Sequence, residues 1–453
     1  MSWKRKFQVT LKTLNKENKT ISRLSMEQKN NYDLKSSTNN WQWHKFSTVC
    51  TRVSVGYVGP TTKFFSTNKE LGIPLIRSQN VRPGKLIIEN TAKITTSFHE
   101  SIKKSNLLPG DILIVRVGAN RGDCCIVPVD FGELNCANIV FASPKKKTRF
   151  YEYYFRSEMG KKALLSNTTG AAQGVINTGS VANILVPVPS DEVQAHISSI
   201  ISSYDDLINN NEKRIRILED IAQRFYTEWF VKFKFPGHEK VKMIESPLGK
   251  IPENWNVKRT DEVAKVIRGT SYSSEEIDDN AGDFYFVNLK SFNRGGGFRF
   301  DGIKYFNGRV KDEQLLKRGE IVVAVTDMTT DRAVISRPAR IPNIRSRKIT
   351  FSADVVKIVP QEIPLAFTYY TLLDYRFTET TKNKANGANV LHLKPGAISE
   401  YKIILPDKKL LDEFERMCIN IVELKDNLSE ENEKLVKIRD LLIPQLVTGK
   451  RKL

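Results

Sequence analysis

The chain alternates between two patterns of apolar and polar positions. The first pattern consists of short apolar runs separated by Gly, Pro and Asn, such as the runs at 110–118 and 319–325. Runs of this length and punctuation are typical of β-strands joined by tight turns. They fill residues 41–189 and 254–405, and they predict a β-rich domain in each of these segments.

The second pattern is helical and follows each β-rich segment after a proline. Apolar residues spaced four and three apart predict one long helix within 190–235 and another within 406–453. We expect Pro444 to end the second helix ahead of a short basic tail. A connector at 236–253 and a polar basic leader at 1–40, expected to be loosely ordered, complete an α+β chain.

The order of these segments reflects an internal repeat. Three short segments recur in the same order, at offsets of 209 to 221 residues. They are 107–115 with 316–324, 170–173 with 387–390, and Asn-Glu-Lys at 211–213 with 432–434. Self-similarity at a fixed long offset indicates a structural unit written twice. We therefore expect two copies of one β-rich domain, each followed by its own helix.

The two helices carry matching apolar seams with a period near 3.5 residues, which is typical of a coiled coil. One polar residue interrupts each seam near its centre, Asn211 in the first helix and Glu431 in the second, and we expect both to fix the register of pairing. A helix of this length spans roughly 57 Å, which suits a spacer. The alternative is a pair of ordinary amphipathic core helices.

The charge is distributed unevenly along the chain. The net charge is +20, which favours a polyanionic partner, either nucleic acid or an acidic membrane surface. The two β-rich segments carry +10 and +6, and the leader carries +6. The two helical segments carry −2 and 0, in chain order. This distribution favours two separate nucleic-acid contacts held apart by a spacer.

The signatures of an enzyme, a membrane protein or a secreted protein are missing from the sequence. It holds no apolar stretch of transmembrane length, no signal peptide and no phosphate-binding loop. The five cysteines lack a repeating spacing, so we expect small buried hydrophobes in a reducing cytoplasm and no zinc site. One nuclease-like string, from Pro406 to Lys425, fits a solvated helix face better than a metal site. We expect no catalytic residue, no bound metal and no cofactor.

Three stretches of the chain resemble a known protein family. The local matches are RFYTEWFVKF at 224–233, SPLGKIPENW at 246–255 and IRDLLIPQL at 438–446. Together with the repeated order of domains and helices, they are similar to the DNA-specificity subunit of type I restriction–modification systems. The resemblance covers about residues 41–453.

The resemblance implies a function carried out with partners. Each β-rich domain would be a target-recognition domain reading one half of a split DNA site, and the helices would form an antiparallel coiled coil with pseudo-twofold symmetry. The partners would be two modification subunits that use S-adenosylmethionine to methylate adenine, and motor-nuclease subunits that use ATP and Mg. The alternative is a non-catalytic basic nucleic-acid-binding scaffold outside restriction–modification.

The residues expected to touch DNA lie in polar and basic loops of both domains, because Arg, Lys, Asn and Gln contact phosphates and base edges. In the first domain they are Thr61, Thr62, Lys63, Arg77, Ser78, Gln79, Asn80, Arg82, Asn120, Arg121 and Gln173. In the second domain they are Asn288, Lys290, Asn293, Arg294, Arg299, Thr330, Asp331, Arg332, Asn389 and His392. Taken alone, each of them is as well explained as a solvated loop residue.

Overall fold

A computed structural model describes residues 41–67, 71–166, 174–328, 332–344, 347–387, 390–394 and 396–451. The chain divides into two compact units. The first unit contains Met1–Asn209 together with Glu433–Leu453, and the second contains Asn210–Asn432. Each unit thus holds one β-rich segment, part of the first long helix and part of the second.

The first unit is built from short strands and four short helices in its described part. The strands are β1 (Gln42–Lys45), β2 (Cys50–Val55), β3 (Ile73–Ile76), β4 (Val81–Arg82), β5 (Lys85–Leu86), β6 (Lys93–Ile94), β7 (Asn106–Leu107), β8 (Ile112–Val115), β9 (Cys124–Ile126), β10 (Leu134–Cys136), β11 (Ile139–Pro144) and β12 (Leu185–Val188). The helices are α1 (Thr96–Ser101), α2 (Phe150–Arg156), α3 (Glu158–Ser166) and α4 (Thr178–Ala182).

Two four-stranded sheets form the body of this unit, with strand orders β2-β11-β8-β9 and β6-β3-β10-β7. Neighbouring strands are antiparallel except for β3 and β10, which run parallel. Strand β8 is buried along its whole length because alternate side chains enter different cores. Ile112 and Ile114 join the core that contains α2, whereas Leu113 and Val115 join a second core on the other face.

The first long helix, α5, covers Asp191–Tyr226 and continues into a π-helical turn at Thr227–Val231. It begins two residues after Pro189, as the sequence pattern predicts. At two places along the four- and three-residue spacing, the residue next to the expected one is buried: Asp205 instead of Tyr204, and Arg214 instead of Ile215. The first exception arises because Asp205 is held by buried partners in the first unit.

The second unit repeats this construction with longer sheets. Its strands are β13 (Met243–Ile244), β14 (Ile251–Pro252), β15 (Asn256–Arg259), β16 (Ala264–Arg268), β17 (Ile277–Asp278), β18 (Phe284–Val287), β19 (Lys304–Phe306), β20 (Ile321–Ala324), β21 (Thr326–Asp327), β22 (Pro338–Arg340), β23 (Lys348–Phe351), β24 (Val355–Pro360), β25 (Ala385–Asn386), β26 (Leu391–Leu393) and β27 (Lys402–Leu405). Its short helices are α6 (Thr260–Val263), α7 (Leu365–Leu373), α8 (Tyr375–Lys382) and α9 (Gly396–Ser399).

The sheet topology of the second unit matches that of the first in one four-stranded sheet and in three adjacent strands of the other. Its sheets have the orders β16-β24-β20-β22 and β17-β19-β18-β23, and β18 pairs with β23 in parallel as β3 does with β10. Strand β15 pairs with β27 as β1 pairs with β12. The second unit adds a three-stranded sheet, β21-β26-β25. The internal repeat read from the sequence is therefore also a repeat of topology.

The second long helix, α10, covers Lys408–Val447 and contains Pro444. The prediction that Pro444 ends this helix is wrong. A proline costs one backbone hydrogen bond inside a helix. Here Ile443, Leu446 and Val447 are buried in the core of the first unit, and this packing keeps the chain helical through the proline. Among the described residues, no helix combines the length and the apolar character needed to cross a membrane.

The predicted seam of α10 holds as far as Leu428 and then moves by one residue. Glu431 is exposed, whereas Asn432 is half-buried. In the first unit, Ile438 is exposed while Ile443 is 3% exposed. The register prediction for Glu431 is therefore wrong. A straight helix has 3.6 residues per turn, so an apolar face drifts from a strict 3.5-residue count over several turns.

Candidate nucleic-acid interface

In the first unit, two groups of predicted residues come together around the half-buried aromatic rings of Phe64 and Phe65. Thr62 and Lys63 lie in a 3₁₀ turn, and the Lys63 ammonium is 5.0 Å from the centre of the Phe64 ring. The guanidinium of Arg77 is 5.6 Å from the ring centre of the next residue, Phe65. Cations over aromatic rings keep their charge accessible to a ligand. This arrangement joins the loop of Thr61 to the turn at Ser78–Asn80.

Asn80 differs from its neighbours because its side-chain amide makes its hydrogen bonds within the protein. It is 4% exposed, accepts a hydrogen bond from the Arg77 backbone N–H (2.9 Å), and donates to the Ile87 carbonyl and the Thr91 hydroxyl (2.9 Å each). These bonds use both amide hydrogens and the amide oxygen. The geometry gives no support for a DNA contact by Asn80.

The remaining predicted residues of the first unit divide between exposed and tethered side chains. Gln79 and Asn120 are exposed, and Ser78 is half-buried. The Arg82 guanidinium donates to the Val81 carbonyl at 2.8 Å, and that of Arg121 donates to the Gly174 carbonyl. Gln173, the last predicted residue of this domain, lies outside the described residues.

In the second unit, the 3₁₀ turn Leu289–Ser291 follows β18 as Ser78–Asn80 follows β3. Asn288 caps this turn by accepting a hydrogen bond from the Lys290 backbone N–H at 2.8 Å, so Asn288, like Asn80, has an internal role. Lys290 is exposed at the same turn. Asn293 is also exposed and donates to the Phe298 carbonyl at 3.1 Å, which closes the loop that carries the exposed Arg294 and Arg299.

The last predicted cluster is described only in part. Thr330, Asp331 and Asn389 lie outside the described residues. Arg332 is half-buried with φ of 52°. His392 is exposed on β26, with its Nδ1 atom 3.3 Å from the Thr326 hydroxyl.

The sequence reasoning missed several polar residues that sit beside His392. Arg268, Thr326, Asp354, Asn386 and Lys394 line one cavity with it. Most of them belong to strands and not to loops, and none stands in a recognisable motif. The internal repeat does not predict them either, because the first domain carries Val117 and Val175 at the positions of Thr326 and His392.

A buried ionic network attaches the first β-rich domain to helical residues of its own unit. Asp205 of α5 contacts Arg156 at 3.1 Å, Arg149 at 3.2 Å and Arg439 of α10 at 3.0 Å. The Tyr153 hydroxyl donates to the same carboxylate at 3.0 Å. Burial alone would raise the pKa of Asp205, but the surrounding guanidinium groups hold its pKa below the ordinary value.

The second unit has a related attachment at the equivalent helical position. Asp426 lies 221 residues after Asp205, the offset that also relates Asn211 to Asn432. Its carboxylate accepts from the Arg318 guanidinium at 2.8 Å and 2.9 Å. The same offset thus places an aspartate against an arginine of the β-rich domain in each unit.

The described residues were compared with the requirements of a metal site and of reactive cysteines. They contain no group of three or more His, Cys, Asp or Glu placed to hold a metal ion. All five cysteines are free and buried, which confirms that they are small buried hydrophobic residues. Burial raises the pKa of the Cys50 thiol to about 12, so it is protonated at neutral pH.

A family model described as the type I restriction modification DNA specificity domain matches the chain twice, over residues 59–220 and 252–427. The chain belongs to this family, and the resemblance found in the sequence is confirmed. Its membership argues against the alternative of a scaffold outside restriction–modification.

Individual relatives match most of the chain. It is 26% identical over 394 residues to the type I restriction enzyme MjaVIII specificity subunit of Methanocaldococcus jannaschii, covering 83% of this chain and 85% of the relative. It is 25% identical over 322 residues to the MjaIX specificity subunit of the same organism, covering 67% and 68%. The crystal structure of a type I restriction–modification S subunit from M. genitalium covers 91% of this chain and 98% of its own, at 13% identity and a TM-score of 0.49.

Proposed function

We propose that this chain reads a DNA target in two parts, one part for each β-rich domain, and so directs adenine methylation and restriction by partner subunits. The observation that carries the proposal is the repetition of one sheet topology in both units, with basic loops at equivalent turns such as Ser78–Asn80 and Leu289–Ser291. Two copies of one reading domain in a DNA specificity family fit a target with two half-sites.

In this proposal, Lys and Arg of the exposed loops neutralise phosphates and thereby supply most of the salt-dependent affinity. Lys63, Arg77, Lys290, Arg294 and Arg299 are the leading candidates, because their loops combine positive charge with accessible positions. Sequence preference would come from neutral polar side chains at the same turns, such as Gln79 and Asn293. Asn80 and Asn288 are left out because their amides already serve the fold.

The spacer in this proposal is an antiparallel pairing of α5 with α10, related by a pseudo-twofold axis. Its support comes from contacts within each unit. Asp205 contacts Arg439 in the first unit, while Asn211 donates to Asn432 at 3.0 Å in the second. Higher numbers on one helix meet lower numbers on the other, as antiparallel pairing requires. Asn211 and Asn432 are equivalent positions in the repeat and would lie on the axis.

The proposal includes partners, because the chain shows no catalytic motif of its own. Two modification subunits would bind S-adenosylmethionine and methylate adenine in each half-site. Motor-nuclease subunits that use ATP and Mg would carry out restriction, in the cytoplasm where the target DNA lies. A twofold-related chain has two equivalent surfaces for two copies of one partner.

The test inserts four residues into both long helices, after Asn209 and after Asn432, in the complex with its modification subunits. One extra turn adds roughly 6 Å, equivalent to about two base pairs. We expect methylation of duplexes with varied spacers to shift to the longer spacing while both half-site sequences are retained. The control places four residues in the exposed connector after Lys250. An unchanged spacing preference in the helix variant would refute the spacer role.

A second experiment tests the assignment of one half-site to one domain. Residues 41–189 are exchanged for the corresponding domain of another specificity subunit, and the methylated sites are mapped. We expect one half-site to change and the other to remain. A change in both half-sites would contradict independent reading.

A further inference from the structure

Three polar side chains form a row across the three-stranded sheet of the second unit. In its register, Thr326 on β21 lies opposite His392 on β26, and Asn386 on β25 lies opposite His392 from the other side. Directly opposed residues of antiparallel strands present their side chains on the same face. With strands about 4.8 Å apart, the row extends roughly 10 Å across the sheet.

The surroundings of this row favour a polar ligand. Arg268, Asp354 and Lys394 line the same cavity as the three residues of the row. Thr326 is buried and contacts the His392 ring at 3.3 Å, which fixes the inner edge of the imidazole. His392 and Asn386 are exposed at the mouth. The cavity therefore combines hydrogen-bond donors, one carboxylate acceptor and two cations.

This mixture suits nucleobase edges better than phosphates alone. An asparagine amide matches the donor and acceptor of adenine, a carboxylate accepts from the cytosine amino group, and cations favour guanine. A phosphate site would be weakened by Asp354, whose carboxylate lies in the cavity and accepts from the Tyr272 hydroxyl at 3.2 Å. The width of the row is close to the roughly 12 Å width of the major groove.

The first domain carries valines at two positions of this row, and the position of Asn386 falls at residue 169, outside the described residues. The offset of 209 residues that relates 107–115 to 316–324 places Val117 at the position of Thr326. The offset of 217 that relates Gly170 to Gly387 places Val175 at the position of His392. The backbone supports this alignment, because Ile176 donates to the Arg116 carbonyl (3.1 Å) as Leu393 donates to the Val325 carbonyl (2.8 Å).

We propose that Thr326, His392 and Asn386 form a base-reading row of the second half-site, in which the exposed His392 and Asn386 contact base edges and the buried Thr326 positions the His392 ring. This inference rests on the proposed function and names the site responsible for part of it. Since the first domain carries valines at two of these positions and still forms its two four-stranded sheets, those sheets do not require the row. Its polar side chains are available for specificity.

The experiment replaces Thr326 and His392 together by valine, the residue that the first domain carries at both positions. The complex with its modification subunits is tested on duplexes in which every base pair of both half-sites is varied singly. We expect discrimination at one or two base pairs of one half-site to fall by about tenfold to a hundredfold, as for the loss of a good base contact. Discrimination in the other half-site should be unchanged.

Asn256→Val is the matched control, because Asn256 is an exposed neutral residue on strand β15 away from the cavity. Asn386→Ala, at an exposed position of the row, provides a second test if the double variant folds poorly by thermal unfolding. Unaltered discrimination at every position in a folded variant would overturn the row. Equal weakening at all base pairs would indicate a phosphate contact and would also overturn it. A wild-type complex without a split target would instead refute the proposed function.

Discussion

The buried carboxylate of Asp205 gives the clearest energetic prediction. Asp205 is 6% exposed, and its partner Arg156 has a side chain that is 5% exposed. Replacing Asp205 by asparagine keeps the shape but leaves Arg149 and Arg156 with Glu152 alone, and Arg439 with the exposed Asp440. Removing one member of a buried ionic network costs about 3–5 kcal/mol, because the remaining charges stay desolvated. We expect Asp205→Asn to destabilise the first unit by this amount.

The measurement is amide hydrogen exchange of α2, which carries Arg156 and belongs to the first unit. A loss of 3 kcal/mol speeds exchange through local opening by more than about a hundredfold. The control is Asp426→Asn at the equivalent helical position. The side chains of Asp426 and Arg318 are 17% and 44% exposed, and such a pair contributes about 0–1 kcal/mol. Equal effects of the two substitutions, or an effect of Asp205→Asn below 1 kcal/mol, would refute the reasoning.

Acid should weaken the same network. The folded-state pKa of Asp205 lies below its ordinary value near 3.8, so the folded chain binds fewer protons than the unfolded chain in this range. The stabilisation is therefore present above about pH 4 and is lost as the pH falls through the folded-state pKa. Urea titrations of wild-type and Asp205→Asn protein should converge on acidification. A constant difference down to pH 2 would contradict the assignment.

Three further outcomes are expected. Asn80→Ala should lower the stability by about 1–3 kcal/mol through lost buried hydrogen bonds, with methylation specificity unchanged; altered base preference would show that Asn80 reads DNA. Leucine at both Asn211 and Asn432 should raise the urea midpoint, whereas Asn211→Leu alone should lower it by removing the hydrogen bond between the two side chains and setting leucine against an amide; the same sign for both would contradict the pairing. The five cysteines should resist a thiol reagent at pH 8 until urea unfolds the protein, because burial keeps them protonated; rapid labelling of native protein would contradict their burial.

The sequence predicted the helices better than it predicted their faces. Helix α5 begins near Pro189 and runs through the apolar spacing, because capping and periodicity are local signals. The error at Glu431 came from extending a 3.5-residue period through a helix that keeps about 3.6. The correct residue was still available from the sequence: the repeated Asn-Glu-Lys phrase pairs Asn211 with Asn432, and the structure joins these two side chains.

The candidate site was harder to predict, because one residue type serves two purposes in loops. An asparagine that caps a turn, such as Asn80 or Asn288, has the same local sequence context as an asparagine that reads a base. Its hydrogen-bond partners come from elsewhere in the fold, and only the structure brings them together. The row formed by Thr326, His392 and Asn386 could not be predicted from local sequence, because strand pairing assembles it from three separate segments.

The two copies of the domain separate residues that hold the fold from residues available for reading DNA. An aspartate persists at Asp205 and Asp426, and each contacts an arginine of its own domain, although Arg156 and Arg318 come from different elements. Both copies thus attach the β-rich domain to a long helix through an aspartate, although the arginine partner lies on a different element in each copy. The positions of Thr326 and His392 carry valine in the other copy, and both copies still form two four-stranded sheets. If the proposed function holds, substitution at such positions changes a half-site while the contacts between domain and helix stay intact, so half-site sequence and spacing can vary independently.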